Sequence, residues 1–361
     1  MRSHETAGPT DSVAQHDAMR ERPDNQPEEA DVVVVGAGPC GIAVGAAARR
    51  AGLRPILYDR GSVVESIRHY PPYMTFFSTA NRLEIEGIPF TIPRDKPTRL
   101  DALVYYRNLV RYFRLPVRAY EDVEEIAGSE GDFRVRSVTR SGRRREQRAK
   151  AVVVATGSFH APNELDVPGE DLPKVSHHYD EAHPYFHQDV MVVGGSNSAV
   201  EACLELYRAH ARVTLVHFAA DLDANVKPWL LPDIRNRLEE DGVTARWRTR
   251  VHEIRPESVV LRNEEDGTLE EVANDWVLAL TGWRSDPQLL HQLGVTVDPE
   301  TGVPAHDPGR MATDVPGVYI AGVLAAGNDA NRIFIENGRE HGRLIVADLQ
   351  RGPVNGSSPA P

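Results

Sequence analysis

Short apolar runs alternate with amphipathic stretches along most of the chain, and this alternation predicts strands and helices in turn. Residues 32–35 are four valines, an uninterrupted apolar run typical of a strand buried on both faces. A glycine turn and a helix rich in small residues over 42–51 follow, and the next strand is predicted at 55–59. Because parallel strands require a crossover connection, this segment predicts a βαβ unit.

The following part of the chain predicts a meander of strands. Helical patterning returns over 100–113. Apolar and polar residues then alternate over 133–138, a Ser141-Gly142 turn follows, and 151–155 is another apolar run. Such alternation is expected where one face of a strand packs on the core and the other faces water.

The opening pattern recurs in the second half of the chain. An apolar strand at 190–193 leads into a glycine turn at 194–199, a helix over 198–208 and a strand at 212–217. Two copies of this arrangement favour two dinucleotide-binding units. The predicted fold class is therefore α/β, with two Rossmann-like dinucleotide-binding domains.

The composition fits two folded domains with polar termini. Residues 1–29 and 351–361 are expected to be disordered tails, because they hold too few clustered apolar side chains to offset the entropy of ordering. The remaining length suffices for two cores, and the 41% hydrophobic and 26% charged residues are typical of globular proteins. The net charge of −12 argues against nucleic acid or an anionic membrane as a partner.

Cysteine usage and the absence of long apolar runs bear on the compartment. No stretch approaches the roughly 18 apolar residues of a membrane span, and the N-terminus lacks a charged-then-apolar leader, so the cytoplasm is expected. Two cysteines in a chain of this size indicate a reducing compartment, with any thiol chemistry catalytic rather than structural. No metal site is predicted, because the spacing of metal ligands is not found among His177, His178, His183 and His187.

The first glycine turn matches the dinucleotide-binding pattern G-x-G-x-x-G in full. Gly36, Gly38 and Gly41 follow a strand and open a helix, with Pro39 in its first turn. Asp59 lies at the end of the next strand, where a carboxylate can accept hydrogen bonds from an adenosine ribose. The helix N-terminus would hold the pyrophosphate. These five residues are predicted to bind a dinucleotide.

The second glycine turn matches the pattern less well. Gly194 and Ala199 fit its first and last positions, but Ser196 replaces the middle glycine. The candidate binding residues of this turn are Gly194, Gly195, Ser196, Asn197 and Ser198. A 2′-phosphate is usually bound by an arginine just beyond the second strand, and none stands there. His217 and Lys227 are the nearby cationic candidates.

Two apolar strands end in Thr-Gly, one after each predicted unit. They are Thr156-Gly157 and Thr281-Gly282. Each alone would be an ordinary strand end. Together with both glycine turns and the segment 317–322, which ends in Gly322, they form an order that resembles the pyridine nucleotide–disulfide oxidoreductases, especially low-molecular-weight thioredoxin reductases. The last segment is similar to that family's C-terminal FAD motif, although Val323 replaces its usual aspartate.

A narrower resemblance covers nearly all of residues 31–350. The stretches 69–90, 96–110, 226–234 and 321–342 are similar to the bacillithiol disulfide reductases, also called bacilliredoxin reductases. This resemblance implies FAD and NADPH as cofactors, with Thr156, Gly157, Thr281, Gly282 and Gly322 at the cofactor sites. It also implies a small-molecule thiol disulfide or a bacilliredoxin-type protein as the partner. The wider superfamily implies a homo-oligomer.

The two cysteines lead to different predictions. Cys203 lies on a predicted apolar helix stripe and is expected to pack in the core. Cys40 falls in the first turn of the first helix, where the dipole and free N–H groups favour a thiolate. The resemblance implies a catalytic cysteine at this position. The alternative is that a small side chain simply suits the turn.

The resulting prediction is a flavoprotein with a discontinuous FAD domain and an inserted NAD(P)H domain. The FAD domain is predicted at 30–160 and 284–350, and the NAD(P)H domain at 161–283. Electrons would pass from NADPH through FAD to a disulfide, with Cys40 as the redox thiol. Two alternatives stay open: a flavin-dependent monooxygenase, and a non-catalytic flavoprotein that senses redox state through Cys40.

Overall fold

Two sheets with parallel cores organise the chain, and each ends beside one of the glycine turns. The computed structural model describes residues 29–158, 161–330 and 332–351. Most of the two predicted tails, 1–28 and 352–361, lies outside the described residues. No helix within those ranges has the length and apolarity that a membrane crossing requires.

The regular elements are numbered in chain order. The strands are β1 Glu29–Val35, β2 Pro55–Asp59, β3 Val117–Ala119, β4 Glu121–Ser129, β5 Asp132–Thr139, β6 Arg144–Val154, β7 Ala161–Pro162, β8 Val175–Ser176, β9 Asp189–Val193, β10 Arg212–His217, β11 Val243–Trp247, β12 Thr249–Ile254, β13 Ser258–Asn263, β14 Leu269–Ala273, β15 Trp276–Ala279, β16 Trp283–Arg284 and β17 Val318–Ile320. The helices are α1 Pro39–Arg50, α2 Glu65–Arg68, α3 Arg99–Tyr112, α4 Asn197–Arg208, α5 Leu231–Glu239, α6 Gln288–Gln292, α7 Ile335–Gly338 and α8 His341–Arg351.

The first sheet has the strand order β3-β2-β1-β6-β5-β4, and β17 also pairs with β6. β1 runs parallel to β2 and β6, whereas β4, β5 and β6 form the predicted antiparallel meander. Val32, Val33 and Val34 are wholly buried, as the apolar run predicts. α1 needs small residues because α8 packs closely on it: a Cβ atom at Gly342 would lie 2.6 Å from Ala43 O.

The second sheet is entirely parallel, with the order β11-β10-β9-β15-β8. α4 covers one face with the wholly buried side chains of Val200, Cys203 and Leu206. The prediction that Cys203 packs in the core is therefore confirmed. A three-stranded antiparallel sheet, β12-β13-β14, covers the other face through Val251, Leu261 and neighbouring residues.

The chain leaves the first sheet after β6, builds the second, and returns to pair β17 with β6. At the crossing, β7 pairs with β16 in a short antiparallel ladder. The α/β fold with one dinucleotide-binding domain inserted into another is thus confirmed. The boundaries at 160, 161, 283 and 284 remain predictions.

The ends of several elements differ from the sequence-based predictions. β1 begins at Glu29, inside the predicted tail, because the long strand β6 extends far enough to place Arg148 opposite Glu29. α1 begins at Pro39 rather than at residue 42. At the C-terminus, α8 includes Arg351, which was predicted to belong to the tail. Helix and strand ends depend on pairing and capping partners, which local apolar patterns do not specify.

The parallel core of the first sheet gives a test of stability. Leu57 on β2 is wholly buried, so Leu57→Ala should lower the free energy of unfolding by about 2–5 kcal/mol through lost burial and a cavity. The matched control is Leu269→Ala, because Leu269 is 59% exposed; it should change that free energy by less than about 0.5 kcal/mol. Urea denaturation measures both, and equal effects would contradict this packing.

Candidate functional site

One continuous cavity of about 1820 Å³ lies at the carboxyl ends of the parallel strands of both sheets. Ligands bind at this end of α/β sheets, and the volume exceeds the range of roughly 300–1,000 Å³ for a single small-molecule pocket. The predicted site residues that line it are Gly36, Gly38, Pro39, Cys40, Asp59, Thr156, Gly157, Gly194, Gly195, Ser196, Asn197, Ser198, His217, Lys227, Thr281, Gly282 and Gly322. Gly41 is the predicted site residue that the cavity does not reach.

The glycines of the first turn have different structural reasons. Gly36 has φ +110°, and a Cβ atom there would lie 2.2 Å from Ala155 O. A Cβ atom at Gly41 would lie 1.9 Å from Gly36 O, so this glycine allows the helix to pack against the strand end. At Gly38 a Cβ atom would meet nothing within 4 Å. Gly38 thus leaves open the approach that a pyrophosphate would use.

The start of α1 is equipped for an anion. Its N-cap residue, Gly38, provides no side-chain cap, and its first turn contains no acidic residue. Asp59 stands beside the turn, where Oδ2 accepts a hydrogen bond from Ala37 N and Oδ1 one from Gly61 N, each at 2.8 Å. Burial raises the pKa of Asp59, and these two hydrogen bonds partly counter the rise. The residues present fit the adenosine and pyrophosphate part of FAD.

The two Thr-Gly pairs occupy different environments. Thr156 Oγ1 is buried and has no hydrogen-bond partner among the described residues, as expected of a hydroxyl that faces a ligand. Thr281 and Gly282 instead hold the crossing between the sheets. Asn163 donates from its backbone N–H to Gly282 O and from its side chain to Thr281 O, at 3.0 Å each. Sequence reasoning did not identify Asn163.

Cys40 lies where α1 meets the C-terminal segment. A Cβ atom at Gly338 would lie 2.8 Å from Cys40 Sγ, and one at Gly322 would lie 3.1 Å from it. The thiol is free, and part of the residue reaches the cavity. Burial raises the pKa of the Cys40 thiol to about 12. The predicted lowering of this pKa is therefore wrong, because the sulphur is packed among apolar groups and glycine backbone.

The C-terminal motif is held by a histidine that the sequence analysis missed. His341 Nδ1 accepts a hydrogen bond from Gly322 N at 3.1 Å. Burial lowers the pKa of His341 to about 4, so the ring is neutral and can accept this bond near neutral pH. Val323, in the place of the usual aspartate, lines the cavity with an apolar side chain. Gly322 is thus positioned by a ring from α8.

The second glycine turn is equally constrained. Gly194 has φ +144°, and a Cβ atom there would lie 2.5 Å from Leu280 O. A Cβ atom at Gly195 would lie 2.4 Å from His217 Nε2, so the imidazole lies directly beneath this glycine. His217 is only 3% exposed, and its Nε2 lies 3.3 Å from Asp223 Oδ1. His217 therefore supports the turn from below.

A loop after β10, residues 223–229, is tied to the start of α4. Ser196 Oγ donates to Asn225 Oδ1 at 3.1 Å, and Asn197 Nδ2 donates to Asn225 O at 3.3 Å. The backbone N–H of Lys227 donates to Asn197 Oδ1 at 2.9 Å. Ser196, which replaces the middle glycine of the pattern, and its neighbour Asn197 thus hold this loop.

The same loop reaches the first domain. The Lys227 ammonium lies 5.6 Å from the ring centres of both Phe77 and Phe334. In the opposite direction, the Lys96 ammonium lies 5.0 Å from the ring centre of Trp229, which also contacts Phe77 edge-on at 5.6 Å. Cation–π and aromatic contacts therefore join the two domains at the cavity rim.

A half-buried carboxyl inside the cavity was also missed. Glu201 lies on α4 just after the second turn and lines the cavity with Glu205. Burial, followed by the charge of Glu205, raises the pKa of Glu201 to about 7. Glu205 accepts a hydrogen bond from the Tyr179 hydroxyl at 2.8 Å. Two carboxyl groups in different surroundings thus lie beside the predicted coenzyme turn.

The raised pKa of Cys40 can be tested by alkylation. In a Cys203→Ala background, the rate of Cys40 alkylation by iodoacetamide should rise about tenfold per pH unit from pH 7 to 9, because the thiolate fraction grows tenfold per unit below the pKa. Mass spectrometry at timed intervals measures the rate. A rate that levels off near pH 7 would show that the thiol is acidic after all.

The half-buried position of Glu201 gives a pH-dependent stability. Its pKa rises from 4.5 to about 7 on folding, so its ionisation costs nothing below about pH 4.5 and the full amount above about pH 7. Glu201→Gln should therefore be more stable than the parent at pH 8, by roughly 1–3 kcal/mol, with the gain shrinking toward pH 5. Denaturation at both pH values checks this. Glu239→Gln on exposed α5 controls for the lost charge, and a pH-independent gain would contradict the assignment.

Known proteins of similar sequence and structure share most of the length of this chain. Bacilliredoxin reductase Bdr of Bacillus subtilis (strain 168) is 39% identical over 319 residues, which are 88% of this chain and 97% of Bdr. The structure of bacillithiol disulfide reductase Bdr from Bacillus cereus superposes with a TM-score of 0.87 at 39% identity, covering 90% of this chain and 99% of that one. The Staphylococcus aureus protein of the same name gives 0.84 at 35% identity, with the same coverage.

The matched family spans both glycine turns. The pyridine nucleotide-disulphide oxidoreductase family matches residues 33–322, from β1 to the C-terminal motif. FAD and NADPH are the cofactors of this family, in agreement with the two dinucleotide-type turns that meet at one cavity. The chain therefore belongs to the pyridine nucleotide-disulphide oxidoreductases.

Proposed function

We propose that this protein uses NADPH and bound FAD to reduce a disulfide, with Cys40 as the thiol that reacts with the substrate. The substrate proposed is bacillithiol disulfide or the mixed disulfide of a bacilliredoxin. The observation that carries the proposal is the position of Cys40, which lines the same cavity as both glycine turns. The names of the B. subtilis, B. cereus and S. aureus relatives support the choice of substrate.

The overall reaction converts NADPH, one proton and a disulfide RSSR into NADP⁺ and two RSH. Cys40 first loses its proton, and the thiolate attacks one substrate sulphur. This forms a mixed disulfide between Cys40 and R and releases RS⁻, which takes up the proton. Cleavage of the mixed disulfide by two electrons and two protons then releases the second RSH and restores the Cys40 thiol. The hydride of NADPH accounts for both electrons and one proton, and the second proton is the one in the overall reaction.

The absence of a second thiol beside Cys40 determines how the mixed disulfide is resolved. The chain has two cysteines, and Cys203 is wholly buried in the core of the other domain. No other thiol of this chain can therefore attack the mixed disulfide. FAD, which the first glycine turn and Asp59 would hold, would supply the two-electron chemistry that links NADPH to the mixed disulfide.

The surroundings of Cys40 set when it reacts. Burial keeps it a neutral thiol at rest, and neutral thiols react slowly with oxidants. The backbone of Gly322 and Gly338 closes one side of the sulphur, so a disulfide must approach from the cavity. This arrangement favours reaction with a substrate admitted to the cavity over oxidation by bystanders.

The proposal extends to assembly and location. A bacilliredoxin as protein partner, a homo-oligomer and a cytoplasmic location follow from the resemblance and from two cysteines without a disulfide. The domain boundaries proposed with it are 30–160 and 284–350 for the FAD domain, and 161–283 for the NADPH domain.

The experiment that tests the function measures flavin reduction by NADPH and reoxidation by an acceptor as separate steps. The flavoprotein is reduced anaerobically with NADPH while the yellow absorbance is followed, and bacillithiol disulfide, glutathione disulfide or oxygen is then added. Reoxidation by bacillithiol disulfide, faster than by glutathione disulfide, is the expected result. Reoxidation by oxygen alone, coupled to oxidation of an added substrate, would replace the proposal with a monooxygenase. A single turnover with no effective acceptor would favour a redox sensor.

Substitution of the two cysteines should give opposite results. Cys40→Ser should lower disulfide-dependent NADPH oxidation at least about 100-fold, because the nucleophile is lost, while FAD content and anaerobic reduction by NADPH persist. Cys203→Ala, the matched control, should retain turnover because its sulphur only packs in the core. Steady-state assays and flavin spectra measure both. Normal turnover by the Cys40→Ser protein would eliminate the proposed relay.

A further inference from the structure

An arginine from another strand lies beside the residue that follows β10, where the sequence itself has no arginine. The first residue after β10 is Phe218, at the position from which NADPH-binding units commonly supply a cation. Arg250, on β12, lies with its guanidinium carbon 4.7 Å from the centre of the Phe218 ring. Arg250 lines the same cavity as Gly195 and His217 of the second glycine turn.

The contacts of Arg250 leave its terminal nitrogens available. Its Nε donates to Glu264 Oε2 at 3.0 Å, and within the described residues Nη1 and Nη2 have no hydrogen-bond partner. The guanidinium lies over the Phe218 ring, and this contact does not use these donors. A planar group held in this way presents two parallel N–H donors to a phosphate.

The two cations that the sequence suggested for this task are engaged elsewhere. His217 lies beneath Gly195 and is 3% exposed, so its ring supports the turn. The Lys227 ammonium contacts Phe77 and Phe334 of the first domain.

The carboxylate that the loop after β10 places in the cavity, Asp223, is tied to the second glycine turn. Asp223 Oδ1 lies 3.3 Å from His217 Nε2, and its backbone N–H donates to Gly195 O. Its contacts therefore bind the loop to the turn. Among the described residues that line this end of the cavity, Arg250 is the remaining cation.

We propose that Arg250 binds the 2′-phosphate of NADPH and thereby gives this protein its preference for NADPH over NADH. The proposal rests on the proposed function only in the use of NADPH. It does not depend on the identity of the disulfide. The cation that binds the 2′-phosphate would thus come from the antiparallel sheet β12-β13-β14 instead of the loop that follows β10.

Binding of nucleotide fragments to the FAD-containing protein tests the proposal without turnover. The probes are 2′,5′-ADP, which carries the 2′-phosphate, and 5′-AMP, which lacks it, and calorimetry measures both dissociation constants. The parent protein should bind 2′,5′-ADP on the order of 10- to 100-fold more tightly than 5′-AMP. Arg250→Ala should bind both fragments about equally. Retention of the full preference by Arg250→Ala would overturn the proposal.

A matched control separates a specific contact from a general change in charge. Arg262 faces Arg250 across the β12–β13 ladder and binds the same Glu264, but it does not line the cavity. Arg262→Ala should keep the preference for 2′,5′-ADP. An equal loss in Arg262→Ala would reduce the role of Arg250 to net charge and contradict the proposal.

Two further measurements guard against a misfolded variant and against failure of the proposed function. Arg250→Lys keeps the charge but loses the planar fork, so it should retain part of the preference. The second measurement is anaerobic reduction of the flavin, in which Arg250→Ala should raise the NADPH concentration that gives half the maximal rate. The factor should match the loss of 2′,5′-ADP affinity, and the corresponding NADH concentration should not change. Reduction by NADPH with no disulfide turnover would refute the proposed function alone, whereas a parent protein without preference for 2′,5′-ADP would refute the role of Arg250.

Discussion

The contact between backbone atoms at the first glycine turn is the constraint on which the rest of the structure depends. Gly36 packs against Ala155 O, and Gly41 packs against Gly36 O, at distances that no side chain permits. These contacts seat the start of α1 directly on the ends of β1 and β6. They therefore decide where the helix N–H groups point, and they carry Cys40, one residue past Pro39, to the wall of the cavity.

The position of Cys40 brings two opposing electrostatic effects together, and their magnitudes decide the outcome. A helix N-terminus stabilises a nearby negative charge by about 0.3–2 kcal/mol. The rise in the pKa of Cys40 from 9.0 to about 12 corresponds to roughly 4 kcal/mol in favour of the neutral thiol. Desolvation therefore dominates. The sequence pattern shows that a thiol lies at a helix start. Only the packing of Gly322 and Gly338 against the thiol shows how far it is shielded from water.

The same distinction explains what the sequence could predict. The first βαβ unit, the glycine turn and Asp59 are local patterns, in which a few adjacent residues determine the geometry, and they were predicted. His341, Glu201 and Arg250 were missed. His341 reaches Gly322 from 19 positions away, and Arg250 reaches Phe218 from a different sheet. Residues of this kind acquire a role only when the chain crossings bring them to the cavity, and no periodicity marks them.

The loop at residues 223–229 connects the second glycine turn to the first domain. Asn197, at the start of α4, holds residues 225 and 227 through its side-chain amide. The same loop places Lys227 against Phe77 and Phe334, and Trp229 against Lys96. A displacement of the second glycine turn must therefore either carry these aromatic contacts with it or break the hydrogen bonds of Asn197. Exposed cation–π contacts contribute about 0.5–1 kcal/mol each and hydrogen bonds about 0.5–1.5 kcal/mol each, so the loop is held to both domains by contacts of similar total strength. The loop therefore couples the position of the coenzyme turn to the aromatic side chains of the first domain.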